Sequence, residues 1–265
     1  MSVFESENTV SHAYKLVIPA RYGSSRLPGK PLALLAGKPM LWHVYQRALE
    51  SAAEEVVIAT DDLRIVMAAE SFGATVVMTG ENHPSGTDRL AEVVEQLGWD
   101  DATLVVNLQG DEPLMPASLL DQVAANLAAH PRAGMATLRT PIHEARDFSD
   151  PHVVKVVTDK DGYALYFSRA PIPWERDALS IEDNPHDECF RHLGIYAYRA
   201  AFLRGYPRLP PGPLESLEKL EQLRALWNGV LIHVDTAREV PGPGVDTPDD
   251  LARVEARLSA RENPA

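Results

Sequence analysis

The chain has 265 residues, of which 45% are hydrophobic and 24% charged, a composition typical of a globular protein and not of a disordered one. Its 38 acidic and 25 basic residues give a formal net charge of −13, which argues against nucleic acid as a partner because phosphate backbones require basic surface. No apolar run reaches the ~18 residues of a membrane span, and the first residues lack the pattern of a signal peptide. The single cysteine, Cys189, excludes an internal disulfide and is expected in the core, so we expect a cytoplasmic protein.

The first half of the chain alternates short apolar runs with helical patterns. Residues 1–13 are expected to form a short extension. The strands predicted after it are 15–20, 54–60, 75–78 and 103–109, and the helices are 38–52 (with Pro39 in the first turn), 61–73 (capped at Asp61 or Asp62), 88–98 and 116–130. This alternation predicts βαβ units and a mostly parallel sheet flanked by helices, which is an α/β fold.

The pattern changes after about residue 134. Three strands are predicted without helices between them, and a fourth follows them: these strands are 134–142, 152–159, 162–169 and 191–199. The segment 159–162, DKDG, predicts the turn between two of them. This region is expected to add mixed or antiparallel sheet to the first half. A helix over 214–229, a strand over 230–237 and a final helix capped by Thr247 complete the prediction.

Positive charge is concentrated near the first strand. From Asn8 to Leu49 there is no Asp or Glu, although six Lys and Arg residues lie there. Three of these cations, Arg21, Arg26 and Lys30, belong to the loop IPARYGSSRLPGKPL, which follows the first strand. Ligands of open parallel sheets bind beyond the carboxyl ends of the strands, so this loop is the first candidate for an anion site.

The loop matches neither of the two commonest phosphate motifs. Five residues separate Gly23 from Gly29, and Pro31 follows Lys30, whereas a Walker loop needs four residues and a Ser or Thr. The dinucleotide motif G-x-G-x-x-G is absent as well. Glycines and cations together still suit a triphosphate, and the alternative is a solvated basic turn.

Two acidic positions could complete such a site. Asp111 follows the strand of VVNLQGDEPL, at the same end of the sheet as the basic loop. Asp246 lies in PGPGVDTPDDL, just before the last helix. Mg²⁺ usually takes one or two carboxylates together with phosphate oxygens, so both are candidate ligands. Each could instead be an ordinary turn or capping residue.

Six motifs in order resemble the bacterial 3-deoxy-D-manno-octulosonate (Kdo) cytidylyltransferases, or CMP-Kdo synthetases. The motifs are IPARYGSSRLPGKPL, HPSGTDRLAE, NLQGDEP, YALYFSRAPIPW, RHLGIYAYR and PGPGVDTPDDL. The resemblance runs from about Tyr14 to Arg257. It implies a Rossmann-like nucleotide-diphospho-sugar transferase fold in a single domain, residues 14–265. Within that domain it implies three parts: a nucleotide-binding half (14–133), a β-rich sugar-binding and dimerisation region (134–210) and C-terminal helices with the second metal carboxylate (211–265).

The resemblance also implies roles for individual residues. The catalytic residues are expected to be Arg21, Lys30, Asp111 and Asp246, with Asp111 and Asp246 holding Mg²⁺. The residues implied for CTP binding are Arg21, Ser24, Arg26, Lys30, Pro84, Ser85, Gly86, Arg89 and Gln109. Those implied for the sugar acid are Gln109, Arg169, His192, Tyr196, Glu221 and Gln222.

The implied reaction is attack of the sugar's anomeric 2-hydroxyl on the α-phosphorus of CTP, which gives CMP-Kdo and pyrophosphate. The family implies a cytoplasmic homodimer that activates Kdo for lipopolysaccharide biosynthesis. Three alternatives stay open from the residues alone. The first is a cytidylyltransferase for another acidic sugar, such as 8-amino-Kdo or sialic acid. The second is a glycosyltransferase, although Gln109 and Asp111 stand where such enzymes usually carry an Asp-x-Asp motif. The third is a module that binds CTP without turnover.

Overall fold

The apolar runs of the first half form largely buried strands, as the alternating pattern predicts. The computed structural model describes residues 13–23, 27–177 and 188–262. Residues 1–12, Ser24, Arg26 and most of segment 174–190 lie outside the described residues. The strands of this half are β1 (Tyr14–Ala20), β2 (Leu34–Leu35), β3 (Lys38–Pro39), β4 (Glu55–Thr60), β5 (Thr75–Met78) and β6 (Leu104–Asn107).

The predicted helices of the first half are present, three of them with shorter bounds, while the helix predicted over 88–98 begins two residues earlier and ends one residue earlier. They are α1 (Met40–Leu49), α2 (Leu63–Ser71), α3 (Gly86–Leu97) and α4 (Ala117–Ala129). Asp62 caps α2, since its Oδ1 accepts from the backbone N of Arg64 at 2.8 Å. The placement of Pro39 in the first turn of α1 is wrong. Pro39 pairs with Leu34 in the β2–β3 hairpin and lies just before the helix.

The region after residue 134 is rich in strands. It contains β7 (Met135–Pro141), α5 (Ala145–Ser149), β8 (Lys155–Thr158), β9 (Ala164–Ser168) and β10 (Phe190–Arg199). The short helix α5 was not predicted. The predicted turn at 159–162 is confirmed: Asp159 Oδ1 accepts from the backbone N of Asp161 and of Tyr163, and Gly162 takes a positive φ of 82°.

One mixed sheet joins strands from all parts of the chain. Its main order is β11 (Ile232–Thr236), β7, β10, β6, β1, β4, β5, and β8 and β9 extend it from β10. Strands β5, β4, β1 and β6 are parallel, as are β7 and β11, while β10 runs antiparallel between β6 and β7. The predicted α/β fold with an added mixed region is therefore confirmed.

The prediction of one continuous helix over 214–229 is wrong. After α6 (Ala200–Gly205), the segment forms two short helices, α7 (Pro213–Glu218) and α8 (Gln222–Trp227). Lys219 separates them with a left-handed φ of 54°. The Glu218 carboxylate explains why the segment bends, because it accepts hydrogen bonds from Ser168 Oγ at 2.7 Å and from Arg169 N at 2.9 Å. The final helix α9 (Pro248–Glu262) carries the predicted cap, in which Thr247 N donates to Asp250 Oδ2 at 2.9 Å.

Helices cover both faces of the sheet and form two apolar layers. Leu16 and Ile18 of β1 pack into the layer under α1 and α4, while Val17 packs into the opposite layer under α3. Cys189 is buried beside Phe148, as expected for a core residue. No helix in the described ranges has the length and apolarity that crossing a membrane would require. The sheet thus holds the carboxyl ends of β1 and β6 side by side, where the basic loop and the acidic segment leave the core.

Candidate active site

The basic loop after β1 is closed at its base. The backbone N of Gly29 donates to Tyr22 O at 3.1 Å, and Gly29 takes a φ of 68°. A Cβ on Gly29 would meet the Tyr22 ring at 3.2 Å, so both the backbone angle and the ring require glycine here. This closure returns the chain toward the sheet and positions Lys30 near the carboxyl end of β1.

Lys30 joins the two candidate metal carboxylates. Its Nζ donates to Asp111 Oδ2 at 2.6 Å, to Asp246 Oδ1 at 3.0 Å and to Val245 O at 3.1 Å. Burial opposes the charge of Lys30, yet the two carboxylates outweigh it and raise the pKa of the ammonium. Lys30, Asp111 and Asp246 lie far apart in sequence, and the fold brings their side chains together.

Close backbone contacts fix the acidic segment. A Cβ on Gly110 would lie 2.9 Å from Pro19 O, so only glycine lets this segment pass the end of β1. The backbone N of Val245 donates to Asp111 O at 2.9 Å, which brings Asp246 to the same place. The half-buried Glu112 lies beside this cluster, and burial together with the Asp111 charge raises its pKa to about 8.

The residues predicted to bind CTP differ in how exposed they are. Arg21 is half-buried, and its Nη2 donates to His83 O at 2.6 Å and to Ser85 O at 3.1 Å, which ties the basic loop to the start of α3. Ser85 caps α3, and Gly86 lies beside Gln109. Pro84, next to Ser85, is exposed. The predicted residues Ser24 and Arg26 lie outside the described residues.

Arg89 is buried beneath this surface and does not face it. Its side chain is 0% exposed, and its Nη2 lies 2.6 Å from Asp61 Oδ2. Its Nη1 donates to Thr79 Oγ1. Asp61 follows β4 and Thr79 follows β5, so Arg89 ties together the carboxyl ends of two further strands. Sequence reasoning missed this role of Asp61, which it considered only as a helix cap.

A cavity of about 370 Å³ adjoins the acidic segment. Five of the six residues predicted for the sugar line it, namely Gln109, His192, Tyr196, Glu221 and Gln222. His192 Nε2 lies 3.0 Å from Thr137 Oγ1, and burial, aided by the neighbouring Arg191, lowers its pKa to about 3. Burial also raises the pKa of Tyr196. Both groups are therefore neutral near pH 7 and can exchange hydrogen bonds with hydroxyl groups.

The sixth predicted residue, Arg169, does not line this cavity. Its Nε donates to Glu218 O at 2.6 Å and its Nη1 to Pro151 O at 2.8 Å. Arg191 lines the cavity and was missed by sequence reasoning. Its position immediately before His192 in RHLGIYAYR was the signal that could have found it.

The acidic cluster fits a magnesium ion that binds together with a triphosphate. Within the described residues, no group of three or more His, Cys, Asp or Glu side chains is arranged to hold a metal. However, Asp111 and Asp246 both contact the same ammonium group, so their oxygens already converge on one positive charge. Mg²⁺ needs no more than one or two protein carboxylates when phosphate oxygens and water complete its shell.

Comparison with known proteins shows the family of the chain. The chain matches a family model described as cytidylyltransferase over residues 16–232. A relative from Alkalilimnicola ehrlichii, named 3-deoxy-manno-octulosonate cytidylyltransferase, is 59% identical over 256 residues, which cover 95% of this chain and 98% of the relative. A relative of the same name from Pseudomonas syringae pv. tomato is 59% identical over 251 residues, or 94% of this chain and 99% of the relative.

Solved structures give the same result. A structure described as CMP:2-keto-3-deoxy-manno-octonic acid synthetase complexed with CTP aligns with a TM-score of 0.86 and 44% identity, over 96% of this chain and 100% of that one. A cytidylyltransferase from Leptospira borgpetersenii aligns with a TM-score of 0.59 and 17% identity, over 93% and 86% of the two chains, and shows the shared fold alone. The chain therefore belongs to the cytidylyltransferase family, and within it to the 3-deoxy-manno-octulosonate cytidylyltransferases.

Proposed function

We propose that the protein transfers CMP from CTP to the anomeric 2-hydroxyl of Kdo and releases pyrophosphate. The observation that carries the proposal is the contact of Lys30 with both Asp111 and Asp246, beside a cavity lined by the residues expected to hold the sugar. A triphosphate and a sugar acid could thus meet at one edge of the sheet. Relatives 59% identical to this chain carry the matching name.

On the nucleotide side, the proposed work of the protein is positioning and charge compensation. Phosphoryl transfer of this kind depends on an in-line arrangement and on cations that stabilise the developing charge. Arg21 and Lys30 supply the cations among the described residues of the basic loop. We assign Lys30 to the phosphates of CTP, which requires its ammonium to share or exchange its carboxylate contacts. Ser85 and Gly86 at the start of α3 and Gln109 after β6 complete the proposed CTP surface.

Asp111 and Asp246 are proposed to hold Mg²⁺ when CTP is bound. The ion would neutralise phosphate charge and polarise the α-phosphoryl group. Gln109 lines the sugar cavity and lies two residues before Asp111. The two carboxylates would therefore hold the charge of the ion next to the sugar cavity.

On the sugar side, His192, Tyr196 and Gln222 give the cavity neutral donors and acceptors, and Glu221 adds a carboxyl group. His192, Tyr196, Glu221 and Gln222 can bind hydroxyl groups, and none of them needs to change its charge during the reaction. Arg169 remains the proposed partner of the sugar carboxylate. Its guanidinium donates to Pro151 O, so it must turn away from that oxygen to reach the sugar. Arg191 is the second candidate because it lines the cavity.

The first experiment measures pyrophosphate release by the purified protein with CTP and Mg²⁺, using Kdo, 8-amino-Kdo, sialic acid or no sugar. Release with Kdo above all other sugars is the expected result. Preference for another sugar acid would keep the proposal that CTP is the nucleotide substrate and would replace Kdo as the proposed sugar substrate. Binding of CTP without release with any sugar would favour a module that binds CTP without turnover.

The cellular setting is also part of the proposal. We propose that the protein is cytoplasmic, that it supplies activated Kdo for lipopolysaccharide, and that it forms a homodimer through residues 134–210. Large apolar side chains lie exposed on this region, including Leu165 at 64% and Trp174 at 51%. Light scattering after size-exclusion chromatography tests the dimer, and a monomeric mass at micromolar concentration would contradict it.

A further inference from the structure

Asn107 ends β6 as a polar residue in an otherwise apolar strand. It is 1% exposed, and its Oδ1 atom has no hydrogen-bond partner among the described residues. A buried carbonyl oxygen without a donor costs free energy, and native proteins rarely keep one without a reason. Asn107 also lines the cavity assigned to the sugar, so a ligand that enters there lies next to the residue that carries this oxygen.

The protein groups around Asn107 do not satisfy this oxygen. Tyr196 lies opposite Asn107 across the β6–β10 ladder, and Tyr198 hydrogen-bonds with the Asn107 side chain through the amide nitrogen, which leaves Oδ1 unpaired. The Thr87 hydroxyl donates to Glu221 Oε2 at 3.0 Å and is thereby occupied. On the same cavity wall, Gln222 Nε2 is buried and likewise without a partner. Two residues that line one cavity thus carry an unpaired acceptor and an unpaired donor, the complement of neighbouring hydroxyl groups.

Asn107 belongs to the most buried part of the cavity lining. Three other lining residues, Met135, Tyr198 and Tyr206, are each 2% exposed. Gln109, which leads to the acidic segment, also lines the cavity and is less buried. Under the proposed function the reacting 2-hydroxyl lies near Asp111, which would let a hydroxyl farther along the eight-carbon sugar reach Asn107.

We propose that Asn107 is a specificity-determining residue whose Oδ1 accepts a hydrogen bond from a sugar hydroxyl remote from the anomeric carbon. The proposal rests on the proposed function. A site built to bind a hydroxyl discriminates strongly against an analogue that lacks it, because its own polar group is then left unpaired in the protein. Asn107 would therefore help to select this sugar from other acids that share its carboxylate and anomeric centre.

The test compares steady-state kinetics of the wild type and Asn107→Leu, which keeps the shape but removes the acceptor. The substrates are Kdo and its monodeoxy analogues at the C4, C5, C7 and C8 positions. For the wild type, kcat/KM is expected to be about 10- to 100-fold lower with one of these analogues than with Kdo. Asn107→Leu should treat Kdo and that analogue alike, with the KM for CTP within about twofold of the wild-type value.

A second variant and a control keep the outcome interpretable. Asn107→Ser, a smaller polar replacement, also withdraws the amide oxygen and should lose the preference, which covers a failure of Asn107→Leu to fold. Asn126→Leu removes another buried asparagine that does not line the cavity, and it should keep the wild-type preference. A wild type that releases no pyrophosphate with Kdo defeats the proposed function itself. An active wild type whose preferences persist unchanged in Asn107→Leu overturns the role of Asn107.

Discussion

The ammonium nitrogen of Lys30 lies 2.6 Å from Asp111 Oδ2, so one ion pair joins the basic loop after β1 to the acidic segment after β6. The Lys30 side chain is 14% exposed, and Asp246 shares the same nitrogen at 3.0 Å. The partly desolvated pair is therefore held more tightly than a surface ion pair. Lys30 thus compensates the charge of Asp111 and Asp246, and under the proposed function it would also present charge to a triphosphate.

Replacing Lys30 by glutamine should lower kcat/KM for CTP about 10²- to 10³-fold, because a positioned electrostatic group is lost from the site of charge development. Pyrophosphate release at varied CTP measures the effect. The matched control is Lys38→Gln, which removes an exposed cation from the same acid-free stretch and should leave the rate nearly unchanged. Equal losses in the two variants would show that general positive charge matters and the position of Lys30 does not.

Asp111→Asn and Asp246→Asn should each retain the fold and lower kcat at least about 10²-fold, since each removes one charge from the proposed Mg²⁺ ligands. Asp249→Asn is the control, because it changes an exposed carboxylate on α9 close to Asp246. Isothermal titration of Mg²⁺ in the presence of CTP should show weaker binding in the two site variants alone. Near-normal turnover by a well-folded Asp111→Asn protein would defeat the metal assignment.

Local signals in the sequence predicted the framework of this site. The apolar runs, the turn at 159–162 and the cap at Thr247 depend on neighbouring residues, so pattern reasoning placed them correctly. The break at Lys219 depends on Glu218 reaching Ser168 and Arg169 of another strand. Residues 214–229 follow a helical pattern by themselves, and no local signal reveals that distant partners hold the chain bent there.

Lowering the pH from about 7.5 to about 5.5 should destabilise the protein through its buried histidines. Burial and the stacked ring of His130 lower the pKa of His233, and burial lowers that of His192 to about 3. The unfolded chain therefore takes up protons below about pH 6.5 that the folded chain does not, so the free energy of unfolding falls as the pH falls.

His233→Phe should reduce this pH dependence, by at most about 1.4 kcal/mol per pH unit, because one titrating group is removed while the stacking on His130 is kept. Urea denaturation at several pH values between these limits compares the slopes of the two proteins. Carboxylates titrate equally in both, so their contribution cancels in the difference. Parallel curves for wild type and variant would contradict the burial of a neutral His233.

Arg89→Leu should cost about 3–5 kcal/mol of unfolding free energy, because it leaves Asp61 without its buried partner. The family resemblance alone gave Arg89 as a nucleotide contact, whereas its burial indicates that it supports the ends of β4 and β5. Urea denaturation measures the loss. Arg64→Gln removes an exposed arginine paired with Asp62 and should leave the midpoint almost unchanged. A stable Arg89→Leu protein with weakened CTP binding would restore the direct nucleotide role.

Glu218→Ala should raise the KM for the sugar about 10-fold and leave the KM for CTP unchanged, because small displacements of positioning residues carry large kinetic costs. The Glu218 carboxylate accepts from Ser168 Oγ and Arg169 N, and the backbone then turns at Lys219 into the residues that line the cavity, Glu221 and Gln222. Without this anchor, α7 and α8 can drift from β9.

The control for this variant is Leu217→Ala, which changes the neighbouring side chain, 79% exposed, on α7 and should keep both KM values. Initial rates at varied sugar and saturating CTP, and the converse, separate the two constants. A rise confined to the sugar KM supports the anchoring role, since general destabilisation would lower the amount of active enzyme and reduce kcat at unchanged KM. Equal rises in both constants would instead mean that Glu218 supports the site as a whole.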